Sequence, residues 1–194
     1  MTIAKDAKVQ LLWADNLDED AVALNMSLAA EQFGRIDYTV NCAGIYGLTK
    51  PSHHVTLTEF DHVMDTNFHI GVTHDGRPGF RGSIVNVGSN LGLVGKPETS
   101  VYSASKAAII SLTRSDAIDY AKYQIRVNCV CPGVIETPPM MADVPDNDPA
   151  VQTAVMRRKG TPQEVADAVL FLFSPKDSFI QGAALSVDGG YTIS

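Results

Sequence analysis

Tyr102 and Lys106 stand four positions apart in the stretch Tyr102-Ser103-Ala104-Ser105-Lys106, and Ser89 lies thirteen positions upstream of the tyrosine. Residues four apart on a helix share one face, a turn from each other. An ammonium beside a phenol favours the phenolate and so lowers a pKa that starts at about 10. A tyrosine in that setting is a proton donor or acceptor near neutral pH. A serine hydroxyl brought to the same point reaches the same alcohol or carbonyl oxygen. Ser100, Ser103 and Ser105 are rival hydroxyls; Ser89 is preferred because it follows a strand directly.

The elements that must position these groups are legible as alternating strands and helices. Strands are expected at Val9–Trp13, Tyr38–Asn41, Ser83–Val87, Ile125–Val130 and Ala184–Val187, all short apolar or β-branched runs. A helix is expected over Asp18–Phe33, with Ala21, Val22, Leu24, Met26, Leu28, Ala29 and Phe33 as its inward stripe and Gly34 as its cap. A second runs from Thr58 to about Phe68, capped by Thr58 or Thr56, with Phe60, Val63 and Met64 inward. A third begins at Tyr102 and reaches about Tyr123. A fourth is capped by Thr161, with Pro162 at its first position, and ends near Phe173. This alternation specifies an α/β chain of one domain, residues 1–194, with a parallel sheet covered on both faces. Ligands of such sheets sit beyond the carboxyl ends of the strands. Asn41 to Gly44, Ser89, and Pro132 to Thr137 each follow a strand, so they converge on one crevice, and Tyr102 opens the helix at its rim.

Composition narrows the class. Against 15 Lys and Arg stand 22 Asp and Glu, a formal net charge of −7, which argues against a nucleic-acid or anionic-membrane surface. No apolar run approaches the roughly 18 residues a membrane span needs. The first ten residues lack the apolar core of a secretory signal, so a cytoplasmic protein is expected. Cys42, Cys129 and Cys131 are an odd set without framework spacing and read as reduced thiols. Cys129 and Cys131 alternate on a strand, hence share a face, and read as small buried hydrophobes. His53, His54, His62, His69 and His74 follow no ligand pattern, and no metal is expected.

From about Val9 onward the chain resembles the short-chain dehydrogenase/reductase family. Asn41-Cys42-Ala43-Gly44 is similar to its Asn-Asn-Ala-Gly turn, with cysteine in place of the second asparagine. Asn67 resembles its helix asparagine, and Gly88-Ser89 its catalytic serine segment. Tyr102-x-x-x-Lys106 resembles its tyrosine–lysine pair. Pro132-Gly133-Val134-Ile135-Glu136-Thr137 resembles the stretch that contacts the nicotinamide, Val187-Asp188-Gly189-Gly190 its C-terminal signature, and Asp15 an aspartate that meets the adenine. The resemblance implies a Rossmann-like doubly wound fold, NAD or NADP as cofactor, and a small alcohol or ketone as substrate. It implies that Tyr102 exchanges the proton and Ser89 orients the reacting oxygen. Lys106 lowers the tyrosine pKa and holds the nicotinamide ribose, while Asn67 positions a water for proton relay. Asp15, Asn41, Ala43, Gly44, Pro132, Gly133, Ile135 and Thr137, with Tyr102 and Lys106, form the implied cofactor contacts.

The pattern also departs from the family. The sequence carries no Gly-x-x-x-Gly-x-Gly turn, and its first run resembles the family's third strand, so an incomplete sheet lacking the first two strands is expected. Those two strands lie between the third and fourth in the family order, and Val9–Trp13 is expected to pair directly with Tyr38–Asn41. After Asn67 the helix is expected to be shortened, and the two losses together point to an alternative start plus a skipped segment, or to a mis-spliced gene model. Two other functions stay open: a truncated module acting by self-association or by association with a full-length homologue, and a non-redox isomerase or cyclase using Tyr102 and Ser89.

Overall fold

A computed structural model describes residues 7–68, 82–137 and 144–194. The described elements, in chain order, are α1 (Glu19–Phe33), β1 (Tyr38–Asn41), α2 (Leu57–Phe68), β2 (Gly82–Val87), α3 (Ser100–Ala121), β3 (Ile125–Pro132), α4 (Pro149–Thr153), α5 (Pro162–Phe173) and β4 (Ala184–Val187). The four strands form one parallel sheet in the order β1-β2-β3-β4. This is the parallel sheet that the alternation implied, and the incomplete Rossmann-like arrangement that the family resemblance implied.

Alternating side chains of a strand point to opposite faces, and here each face has its own core. Ile84, Val127 and Cys129 meet Ala117, Ile109 and Ile110 of α3 on one side. Val85 and Val130 meet Val169 and Leu172 of α5 on the other. Cys129 and Cys131 are fully buried on the α3 face, as their spacing required. The ends of the helices are set by local chemistry. Thr161 and Glu164 form a reciprocal capping box at α5, with Pro162 opening the helix. Thr56 and Glu59 exchange the same bonds at the start of α2.

Three expectations change. Val9–Trp13 is not a strand: it pairs with nothing in the sheet, and Leu11 and Trp13 are almost fully exposed. A strand exists only through its partner's hydrogen bonds, and the Trp13 carbonyl accepts from the Asn25 side chain at 2.9 Å rather than from a strand, so among the described residues the sheet has four strands, with β1 at one edge. The stripe of α1 is only partly inward: Ala21, Val22, Met26 and Ala29 are half-buried, while Leu24, Leu28 and Phe33 are exposed. The helix persists through its ends: Asp18 accepts from the Ala21 amide, and Gly34 leaves the helix at φ 86°. Phe60 is also turned outward on α2, while Val63 is buried. Smaller adjustments follow from pairing: β3 continues through Pro132, which sits opposite Val187, and α3 begins two residues earlier, at Ser100. The sequence after Phe68, where a shortened helix was expected, and residues 138–143 of the loop lie outside the described residues.

Candidate active site

Ser89 follows β2 in extended conformation and caps a short turn, Asn90–Gly92, by accepting from the Leu91 amide at 3.1 Å. That turn presses against α3 so closely that a Cβ on Gly92 would lie 2.8 Å from the Lys106 carbonyl carbon and 2.9 Å from its oxygen. Gly92 therefore sets the spacing between the serine loop and the helix that carries Tyr102 and Lys106. Overpacking of this kind costs about 1–3 kcal/mol. Gly92→Ala is expected to show that loss in urea unfolding together with reduced activity, because backbone, not a flexible tip, has to move.

Lys106 is 4% exposed and donates to the Val87 carbonyl at 2.9 Å. Burial lowers its pKa, and the neighbouring thiols of Cys42, Cys129 and Cys131 act the other way. Its ammonium stands 5.8 Å from the centre of the Tyr102 ring. Tyr102 differs from the expectation. Its pKa is raised above that of a free phenol, chiefly because burial penalises the phenolate, with the Ser89 hydroxyl pulling it partly back. The lowering expected from Lys106 is missing because the ammonium is turned to Val87 rather than to the phenol oxygen.

Asn67 is buried and fully used. Its Oδ1 accepts from the Ile45 amide at 2.7 Å, and its Nδ2 donates to the Ile45 carbonyl and to Ser105 Oγ at 2.9 Å each. Ser105 in turn donates to the Tyr102 carbonyl at 2.7 Å. The asparagine thus ties the loop after β1 to the first turns of α3. Ser103 pairs with Thr99, so Ser103 and Ser105 are both spent on structure, and of the rival serines none lines the cleft that Ser89 lines.

The remaining candidates divide. Asn41 gives its side chain to Asn86 on the neighbouring strand at 2.7 Å, and it does not line the cleft that holds Ser89 and Tyr102. Ala43 and Gly44 form an exposed turn, and a Cβ on Gly44 would sit 3.0 Å from Asn67 Oδ1 and 3.3 Å from Lys106 Nζ. Pro132 ends β3, and Gly133 approaches the Asp188 backbone so closely that a Cβ would be 2.8 Å from its Cα. Ile135 bridges Gly160, which holds the strand-end segment through Thr137 beside the start of α5. Asp15 is exposed, and its carboxylate accepts from the Leu17 amide, so its place is the turn leading into α1.

Ser89 and Tyr102 both line one cleft of 260 Å³, together with Gly133, Ile135 and Thr137. Tyr46, Leu91, Lys96 and Tyr191 are among its other wall residues, none of which the sequence reading singled out. The signal was available: Tyr46 follows the Ala43-Gly44 turn by two residues, and Tyr191 follows Asp188-Gly189-Gly190 directly. Tyr46 stacks on Tyr102 with ring centres 4.5 Å apart. Among the described residues no group of three His, Cys, Asp or Glu side chains is placed to hold a metal, and no helix is long and apolar enough to cross a membrane.

Residues 1–192 match a family model described as enoyl-(acyl carrier protein) reductase. The chain belongs to the short-chain dehydrogenase/reductase family. It is 42% identical over 199 aligned residues to cis-4-hydroxycyclohexanecarboxylate dehydrogenase of Sinomonas cyclohexanicum, covering 97% of this chain and 79% of that protein. Among solved structures it is similar to levodione reductase, with a TM-score of 0.87 and 32% identity, covering 98% of this chain and 80% of the other. It is also similar to ElxO with NADP bound, at a TM-score of 0.85 and 31% identity, covering 93% and 77% respectively.

Proposed function

We propose that this short-chain dehydrogenase/reductase interconverts an alcohol and a carbonyl with NAD or NADP, by acid–base chemistry at Tyr102. The observation that carries the reading is the joint placement of the Ser89 and Tyr102 side chains in one 260 Å³ cleft, with Lys106 buried behind them. The ring alcohol in the name of the Sinomonas relative supports a small alicyclic substrate. The NADP bound to ElxO supports a nicotinamide dinucleotide.

The residues present fit the reacting end of such a cofactor. The exposed Ala43-Gly44 turn passes directly over Asn67 and Lys106, leaving backbone rather than side chains to face a ligand. Lys106 and this turn would hold the nicotinamide ribose, with the Gly133 to Thr137 segment beside the ring. When bound, the dinucleotide supplies or accepts the hydride. The chain supplies the rest. Ser89 donates to the substrate oxygen and fixes it, and the Tyr102 phenol gives that oxygen its proton as the carbonyl carbon is reduced. In oxidation the phenolate removes the alcohol proton. Asn67 and Ser105 keep the start of α3 in register with the Ile45 loop.

The raised Tyr102 pKa sets a pH dependence. The neutral phenol is the form that reduction needs, and burial keeps Tyr102 in that form to higher pH than a free phenol. For reduction, kcat/KM is therefore expected to stay level through neutral pH and to fall only above about pH 10, whereas for oxidation it climbs through the same range. A limb below pH 8 in either direction would show that Lys106 governs the phenol after all.

A second reading is a binding module without turnover. It is favoured by the exposed β1 edge and unburied α1, surfaces suited to self-association or to a full-length homologue. Fluorescence titration with NADH and NADPH decides between the two. Saturable binding followed by cofactor oxidation in the presence of cyclohexanone is the result expected of the enzyme, and no binding at millimolar dinucleotide selects the module.

A further inference from the structure

We infer that the cleft is built for an alicyclic ketone or alcohol that carries an anionic group remote from the reacting oxygen, and that Lys96 reads that anion. The inference rests on the proposed alcohol–carbonyl chemistry and adds the substrate's charge. The cleft is small, below the roughly 300–1,000 Å³ of sites for drug-sized ligands. One part of it is polar and reactive, formed by Ser89 and Tyr102. Its walls are aromatic and aliphatic, with Tyr46 laid against Tyr102 and with Leu91, Val134 and Ile135. A carbon ring has an apolar surface there to rest on.

Two formally charged side chains line the same cleft, Lys96 and Asp148. Asp148 caps α4, its carboxylate accepting from the Ala150 amide at 2.8 Å. Lys96 makes no ion pair among the described residues, although the chain has seven more acidic than basic side chains (22 against 15). Its backbone is anchored. Thr99, itself buried, donates to the Lys96 carbonyl at 2.9 Å and stands immediately before the first residue of α3. The lysine is thereby held at a fixed place relative to the helix that carries Tyr102. A flexible ammonium on a fixed backbone, lining this cleft with no ion-pair partner among the described residues, suits a carboxylate or sulfonate on the substrate.

The test is ligand-observed NMR titration of the chain, with and without NADH, using three ketones of similar size: 4-oxocyclohexanecarboxylate, neutral 4-methylcyclohexanone and cationic 4-(aminomethyl)cyclohexanone. The expected order is anion, then neutral, then cation, with the anion preferred about fivefold over the neutral ketone. Lys96→Gln removes that preference and leaves the neutral ketone unchanged, while Lys96→Arg keeps it. Equal binding of anionic and neutral ketones by the unaltered chain, or a preference that survives Lys96→Gln, overturns the inference and leaves the alcohol–carbonyl reading standing. If none of the three binds under either condition, the ketone-binding reading itself falls and the inference with it.

Discussion

Tyr102→Phe is expected to lower kcat by about 10²–10⁴-fold, the usual value of a positioned general acid or base, while leaving the unfolding transition in place. The substitution deletes one oxygen. The ring still packs on Tyr46, and the Tyr102 backbone still accepts from Ser105. What disappears is the proton and its hydrogen-bonding contact with Ser89. Cofactor affinity is expected to change little, because Lys106 keeps its bond to the Val87 carbonyl without the phenol. Steady-state turnover, thermal melting and NADH titration of the same preparation check the three parts. Turnover within a factor of two of the parent would remove Tyr102 from the chemistry.

Arg126→Ala is expected to destabilise the fold by about 3–5 kcal/mol, the cost of removing one partner from a buried ion pair. Against a total stability of about 5–15 kcal/mol, this is the largest single loss expected away from the site. Asp177 is fully buried at the end of α5, its Oδ1 has no hydrogen-bond partner, and Oδ2 is paired with Arg126. Arg126 also donates to the Leu172 carbonyl at 2.8 Å, an oxygen shared with Ser83 on β2. The guanidinium therefore joins β3 to the C-terminal turn of α5, and its loss leaves a carboxylate in the interior without a counter-charge. The double substitution Arg126→Leu with Asp177→Leu is expected to recover most of the loss, since it removes the buried charge together with its partner. Urea unfolding of the single and double variants checks this. A double variant as unstable as the single one would mean that packing, not charge, is lost at this point.

The fold was legible in proportion to how local its causes are. α5 is announced by Thr161, Pro162 and Glu164 within four residues, and α1 by Asp18 and Gly34, because caps act on neighbouring amides whatever lies beyond. β2, β3 and β4 are β-branched or apolar runs that find partners on both sides or at the edge of a complete ladder. Val9–Trp13 has the same local character, yet it is exposed coil, since pairing depends on a strand elsewhere that must come alongside. The Tyr102, Lys106 and Ser89 grouping could be read from spacing and position after a strand, and the three side chains lie close together in the structure. The pKa of Tyr102 could not be read that way. It depends on how much water and how many charges surround the phenol, and those come from segments far apart in the chain. The same holds for Tyr46, Lys96 and Tyr191, which share one cleft only after all four strands have been laid side by side. Residue type and spacing dictated which groups are able to react; burial and long-range pairing, which no short window contains, decided their protonation, their neighbours and the shape they enclose.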